Sequence, residues 1–199
     1  MTETWYELVK ASTKLTQGDI IFNCPILTWK PEIPQIQATE TEIEVLKGAV
    51  DAIQADVVVM SQACDLENEK VSNVILCPHL SLSAYRKDWE DQMKVFGHNP
   101  TEKAWKRLCD DIRDGYMWNL TMLNNGAIKN KAIGEMDIEH RIVDFHDVYT
   151  IPRNFLESVL EQRSHPRLRL LPPYREHLSQ AFARFFMRVG LPVAASKAW

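Results

Sequence analysis

The sequence predicts an α+β protein in which β-strands are interrupted and closed by helices. Residues 56–60 and 71–77 are two short valine-rich runs that flank a polar turn, which is typical of a buried β-hairpin. Between 84 and 120, aromatic and aliphatic residues recur at helical spacing and indicate two helices. Pro152 and Pro173 each precede another helical pattern.

The composition is that of an ordinary globular protein. The 199 residues are 45% hydrophobic and 25% charged, which favours one folded domain over residues 1–199. No run of about eighteen apolar residues occurs, and the N-terminus lacks an apolar signal core. We therefore expect a cytoplasmic protein without a membrane segment. Four cysteines in such a chain are expected to be reduced thiols.

The first third of the chain mixes strand and turn signals. Residues 17–19 predict a turn into a strand at 20–22, which we expect Pro25 to end. Residues 29–41 contain two prolines and few packing residues, which predicts an excursion at the surface. Residues 42–54 fit either strands with a hairpin return or a frayed helix, and we favour strands.

The second half continues the alternation of strands and helices. One helix is predicted from Pro152 to about Gln162, and a final one from Pro173 to a cap at Gly190. The other patterns predict extended segments at 117–123, 132–136, 141–145 and 168–173, with a turn at 124–126.

Cys64 and Cys77 raise the question of a metal site or a reactive thiol. A hairpin that turns near Asn68 places Cys77 opposite Val59 and separates the two sulfurs by roughly 15 to 20 Å, too far for one zinc ion. The chain has no paired C-x-x-C, and Asp65 beside Cys64 would raise a thiol pKa rather than lower it. We therefore expect no metal, no cofactor and no nucleophilic cysteine, and we expect Cys64 to pack.

The formal charge of −4 conceals a basic C-terminal segment. Seven arginines and three glutamates lie between Arg153 and Arg188, behind an acidic body. The segment fits a surface for RNA or an acidic partner, but also arginine side chains that cover a helix and pair with the acidic body, and we favour the latter. If the segment does contact RNA or a partner, the candidates are Arg153, Arg167 and Arg169.

Five short segments follow one another in an order known from one bacterial family. They read Gly-Asp-Ile-Ile-Phe at 18–22, Val-Val-Val-Met-Ser at 57–61, Val-Ile-Leu-Cys-Pro at 74–78, Ile-Val-Asp-Phe at 142–145 and Ile-Pro-Arg-Asn-Phe-Leu at 151–156. In this order they resemble the strands and terminal helix of the MazF/PemK/Kid family of toxin-antitoxin ribonucleases.

The resemblance implies a PemK-like, SH3-type β barrel with added helices. The barrel core would comprise about 15–83 and 116–163. Residues 84–115 would be a helical insertion, and residues 164–199 an arginine-rich helical C-terminal extension. A homodimer is compatible with this arrangement.

The resemblance also implies where catalytic residues would lie. Ribonucleases of this family cleave RNA without metal, using an arginine before the valine-rich strand and a hydroxyl after the proline-ended strand to stabilise charge at the phosphorane. Here residues 52–56 contain no arginine, whereas His79, Ser81 and Asp65 remain to line the groove as candidate catalytic residues. We therefore expect a cleft short of positive charge, in a barrel whose nuclease chemistry has been lost or rebuilt.

Three functions are compatible with these patterns. We favour a non-catalytic, toxin-like barrel that binds a protein partner in a bacterial stress or antiphage system. The partner would be an antitoxin, a CRISPR-associated protease or a sigma-factor-type regulator, and six tryptophans offer interface anchors. The alternative is a metal-independent endoribonuclease. RNA binding without cleavage is the third.

Overall fold

In the computed structural model, which describes residues 4–32 and 41–187, the chain adopts an α+β fold built on antiparallel strands. The strands are β1 Tyr6–Val9, β2 Asp19–Trp29, β3 Val50–Val59, β4 Asn73–Ser81, β5 Leu120–Leu123, β6 Gly126–Asn130, β7 Gly134–Ile138, β8 Arg141–Asp144, β9 Tyr149–Pro152 and β10 Arg167–Leu170. The helices are α1 Glu42–Gly48, α2 Ala63–Glu67, α3 Leu82–Val95, α4 Glu102–Arg113, α5 Arg153–Arg163 and α6 Tyr174–Phe186.

Eight strands form one sheet, and β6 and β7 form a separate hairpin. The path through the sheet is β1-β10-β2-β3-β4-β8-β5, and β9 pairs with the first half of β4. Within the described residues no pairing joins β1 to β5, so this sheet is not closed by hydrogen bonds. None of the helices in the described ranges has the length and apolar character needed to cross a bilayer.

The valine-rich strand β3 is buried on both faces, as its sequence predicts. Val58 packs in a cluster with Phe145 and Leu168, whereas Val57 and Val59 point to the opposite side, into a cluster with residues of α5. All three valines are fully buried. The strand therefore contributes to two cores at once.

The β3–β4 hairpin is confirmed, but its register differs by one residue from the prediction. Cys77 lies opposite Val58 rather than Val59. The connection is not a tight polar turn around Asn68, because it contains the short helix α2 and a left-handed Glu69 with a φ of 55°.

Pro25, which is predicted to end a strand, lies inside β2, and Pro78 likewise lies inside β4. Between Cys24 and Trp29 the backbone N–H and C=O groups of the even-numbered residues of β2 point to β3, as the bond from the Lys30 N–H to the Ala49 carbonyl shows. The nitrogen of Pro25 therefore faces the open side of the ribbon. Pro78 lies where β4 changes partner from β9 to β8. Neither proline removes a ladder hydrogen bond, and both strands continue.

The prediction of strands for residues 42–54 is correct for only part of this range. Residues 50–54 belong to β3, but residues 42–48 form α1, so the preference for strands there is wrong. Thr41 and Glu44 explain the helix, because they form a reciprocal capping box in which the Thr41 side chain accepts from the Glu44 N–H.

The C-terminal segment contributes to the sheet as well as to the helices. Strand β10, within the range assigned to a helical extension, lies between β1 and β2. Its neighbour β1 comes from a stretch without a strong strand pattern. Helices α3 to α6 match the predicted helical segments, whereas the predicted cap at Gly190 lies outside the described residues.

Candidate functional site

Three adjacent strands bring a carboxylate, an imidazole and a guanidinium together. Asp56 of β3 lies one position beyond the Val57–Pro78 pair and is therefore opposite His79 of β4. His79 pairs with Val143 of β8, so Arg141, two residues earlier on β8, is its diagonal neighbour on the same face. We call Asp56, His79 and Arg141 the buried cluster.

Arg141 links the other two members of the buried cluster. Its Nε–H donates to Nδ1 of His79 at 2.9 Å, and its Nη2 donates to the carboxylate of Asp56. The backbone N–H of Asn23 donates to the second carboxylate oxygen of Asp56 at 2.9 Å. The ring of Phe22 covers the cluster, with its centroid 5.3 Å from the guanidinium carbon of Arg141.

His79 is a neutral, buried histidine in this arrangement. Its residue surface is 2% exposed, and that of Arg141 is 8% exposed. Because Arg141 donates to Nδ1, the ring proton belongs on Nε2. That nitrogen has no hydrogen bond of good geometry within the described residues, although the nearby Val57 carbonyl favours a proton there. Burial lowers the pKa of His79, and the charge of Arg141 lowers it further.

The expectation of a cleft short of positive charge is wrong, because Arg141 lies against His79. The resemblance implies an arginine shortly before β3 in the sequence, whereas this arginine comes from β8, 62 residues after His79. Arg141 can be recognised as a neighbour of His79 only from the β4–β8 register, which pairs Ser81 with Arg141. The guanidinium is nevertheless enclosed and bonded to protein groups.

The other two candidate catalytic residues have separate local roles. Ser81 lies two residues beyond His79 on β4, but its hydroxyl caps α3 by accepting the Ala84 N–H at 3.1 Å. Asp65 lies on α2, beside the opposite end of β4. The described fold therefore does not assemble His79, Ser81 and Asp65 into one groove.

The cysteines also differ from expectation in one respect. Cys77 is fully buried, and burial raises its thiol pKa to about 12. Cys64 is exposed on α2, so the prediction that it packs is wrong. Across the ranges that the structure describes, no three His, Cys, Asp or Glu side chains form a group that could hold a metal ion.

Arg167 is engaged with the protein itself. Its Nε donates to Asp19 at 2.9 Å, and its two Nη atoms donate to four backbone carbonyls between Lys10 and Lys14. These bonds use all five donors of a guanidinium. Arg167 is buried and Asp19 fully so, which leaves no donor for an RNA phosphate.

The other two candidate contact residues are also paired with carboxylates. Arg169 donates to Asp19 at 2.6 Å and to the Lys14 carbonyl at 2.7 Å. Arg153 lies 3.6 Å from Glu69 and 3.8 Å from Glu157. All three candidates therefore form intramolecular ion pairs, as the charge pattern predicts, but Arg167 and Arg169 lie on strand β10 and do not cover a helix.

Comparison with known proteins finds no family, no curated protein and no solved structure that matches the chain.

Proposed function

We propose that the protein is a non-catalytic, toxin-like SH3-type barrel that binds a protein partner in a bacterial stress or antiphage system. One observation carries the first half of this proposal. His79, the candidate acid or base, is buried, and its Nδ1 already accepts a hydrogen bond from Arg141. A general base must reach the proton that it abstracts, and this imidazole has no exposed nitrogen.

An exposed apolar surface on the β2–β3 ribbon supports the binding of a protein partner. Leu27 and Trp29 are 68% and 62% exposed and lie two positions apart, so that their side chains are on the same face of β2. Helix α1, whose C-terminus is held to Lys30 through the Gly48 carbonyl, adds exposed Ile43 and Leu46. Exposed apolar side chains around a tryptophan are typical of protein interfaces.

The endoribonuclease alternative is tested by incubating the protein with structured and unstructured RNA in EDTA. The proposal predicts intact RNA at micromolar protein, because the buried cluster cannot reach a phosphate. Cleavage that is lost in both His79→Asn and Arg141→Lys would overturn the proposal and show that the cluster opens to substrate.

The partner is tested by co-purification with the proteins encoded next to this chain. We expect a stoichiometric complex that is lost in Trp29→Ala but kept in Tyr116→Ala, a matched control because Tyr116 is also an exposed aromatic residue. Absence of any stoichiometric partner, or equal loss in both variants, would count against the proposed surface.

A further inference from the structure

A cavity of about 660 Å³ lies near the two ends of the strand path. Its lining includes Trp5 just before β1, Thr121 and Met122 of β5, and Tyr174 and His177 of α6. The volume is in the range of known binding pockets, about 300 to 1,000 Å³. The cavity is separate from both the buried cluster and the exposed face with Trp29.

The outer edge of β5 points backbone groups toward this cavity. The Phe145 N–H donates to the Asn119 carbonyl at 2.8 Å, which fixes the phase of the β5–β8 ladder. Odd-numbered residues of this stretch therefore bond to β8, and the N–H and C=O groups of Leu120, Met122 and Asn124 point away from it. Because β5 ends the strand path, this row has no strand opposite it in the described residues.

Two groups of that row are used internally. The Leu120 N–H donates to the Met117 carbonyl at 3.2 Å, and the Asn124 carbonyl accepts the Tyr6 hydroxyl at 2.5 Å. Four groups remain without a partner among the residues that the structure describes. They are the Leu120 C=O, the Met122 N–H and C=O, and the Asn124 N–H.

We propose that this edge binds an extended peptide as an added antiparallel strand. A peptide residue opposite Met122 exchanges two hydrogen bonds with it. The peptide residue two positions later donates to the Leu120 C=O, and the one two positions earlier accepts from the Asn124 N–H. A five-residue segment thus uses all four open groups, and the bonds from Met117 and Tyr6 close the site at its two ends.

The cavity determines which peptide side chains fit. Leu123 points into the core against which Trp5 and Tyr174 pack, and Thr121 shares that face of β5. Trp5 and Tyr174 stack with ring centroids 4.3 Å apart and form a flat wall. The peptide residues on either side of the central one face this wall, so we expect apolar side chains there.

The ligand is a peptide rather than a small molecule because of the spacing of these groups. A strand edge presents the N–H and C=O of one residue side by side, and another extended backbone is their complement. The inference rests on the proposed function in taking a protein segment as ligand, but it uses a different surface.

The probe is a fluorescein-labelled peptide, Gly-Ser-Thr-Val-Thr-Val-Thr-Ser-Gly, and binding is followed by fluorescence anisotropy. We expect saturable binding that weakens about tenfold when the nitrogen of the central threonine is methylated, because the bond to the Met122 carbonyl is lost. Methylation of the preceding valine, whose N–H points away from β5, is the matched control and leaves affinity within about twofold.

Two variants of the protein test the site independently of the modified peptides. Met122→Pro removes an N–H that bonds to none of the residues that the structure describes, and Gln180→Trp fills the cavity from α6. Both are expected to lose peptide binding, whereas Gln92→Trp on the exposed face of α3 retains it. Thermal unfolding of each variant confirms that it is folded, and Gln180→Trp keeps the test valid if Met122→Pro unfolds.

The inference is overturned if no saturation occurs up to about 1 mM peptide, or if both methylated peptides bind alike. A concentration-dependent dimer that Met122→Pro abolishes would also overturn it, by assigning the edge to a second copy of the chain. A partner lost in Trp29→Ala without any peptide binding would refute this inference alone. RNA cleavage that depends on His79, with peptide binding intact, would refute the proposed function alone.

Discussion

Arg141 donates its Nε–H to Nδ1 of His79 at 2.9 Å and also holds the carboxylate of Asp56. The two bonds join β8 to β4 and β3 through side chains on one face of the sheet. A histidine bonded in this way is fixed in one tautomer. The cluster therefore joins three neighbouring strands of the sheet through side-chain contacts.

Replacing Arg141 by glutamine is expected to lower the free energy of unfolding by about 3 kcal/mol, because Asp56 and His79 lose their shared donor in a mostly buried place. Urea unfolding measures this difference. Arg107→Gln is the matched control, since Arg107 is 85% exposed and 3.9 Å from Asp111, and it is expected to change stability by less than about 0.5 kcal/mol. Equal effects of the two changes would contradict the cluster.

His79 is expected to make the protein less stable in acid. Its pKa is lowered to about 3 in the folded protein, from 6.5, first by burial and then by Arg141. The unfolded chain therefore takes up the proton first, so this contribution is lost as pH falls from about 6.5 toward 3, by about 1.4 kcal/mol per pH unit.

His79→Asn isolates that contribution, because asparagine retains an acceptor for Arg141 but does not titrate. Urea unfolding at several pH values between 4 and 7 is expected to show a shallower acid dependence for this variant than for the wild type. His98→Asn, at an exposed position, is the control and should follow the wild type. Parallel wild-type and His79→Asn curves would show that His79 is not held neutral.

Among the carboxylates of the described residues, Asp19 is expected to lose the most unfolding free energy when it is replaced by its uncharged amide. It is fully buried, bonded to Arg167 and Arg169, and it accepts the Thr16 N–H at 3.2 Å. Asp19→Asn leaves the buried guanidinium of Arg167 and the partly buried one of Arg169 without their counter-charge, and it should cost about 3 to 5 kcal/mol in unfolding free energy. Asp51→Asn, whose side chain is 56% exposed, is the control and should cost less than about 1 kcal/mol.

The elements that depend on local pattern were predictable from the sequence. The valine-rich hairpin, the two helices with Tyr85 and Trp105, and the turn at Gly18, where φ is +81°, all follow from neighbouring residues. The α1 helix also has a local sequence signal, because Thr41 and Glu44 form a capping box, although the apolar pattern around Gly48 favours strands.

The other features of the fold and of the buried cluster depend on which strands become neighbours. A proline interrupts a strand where its nitrogen faces a partner strand, and the sequence does not show which way the nitrogens of Pro25 and Pro78 point. Arg141 meets His79 because β8 lies beside β4, and Arg167 meets Asp19 because β10 enters the sheet beside β2. Pairings between distant parts of the chain leave no local sequence signal, so the sequence does not predict the cation beside His79.

The most direct measurement of the central claim is the nitrogen NMR spectrum of the His79 imidazole as a function of pH. Nδ1 should show the shift of a hydrogen-bond acceptor and Nε2 that of a protonated nitrogen, with neither changing between pH 7 and 5. Arg141→Gln should lose the Nδ1 hydrogen-bond signature. A His79 that titrates near pH 6.5, or that exchanges tautomers at pH 7, would contradict the account.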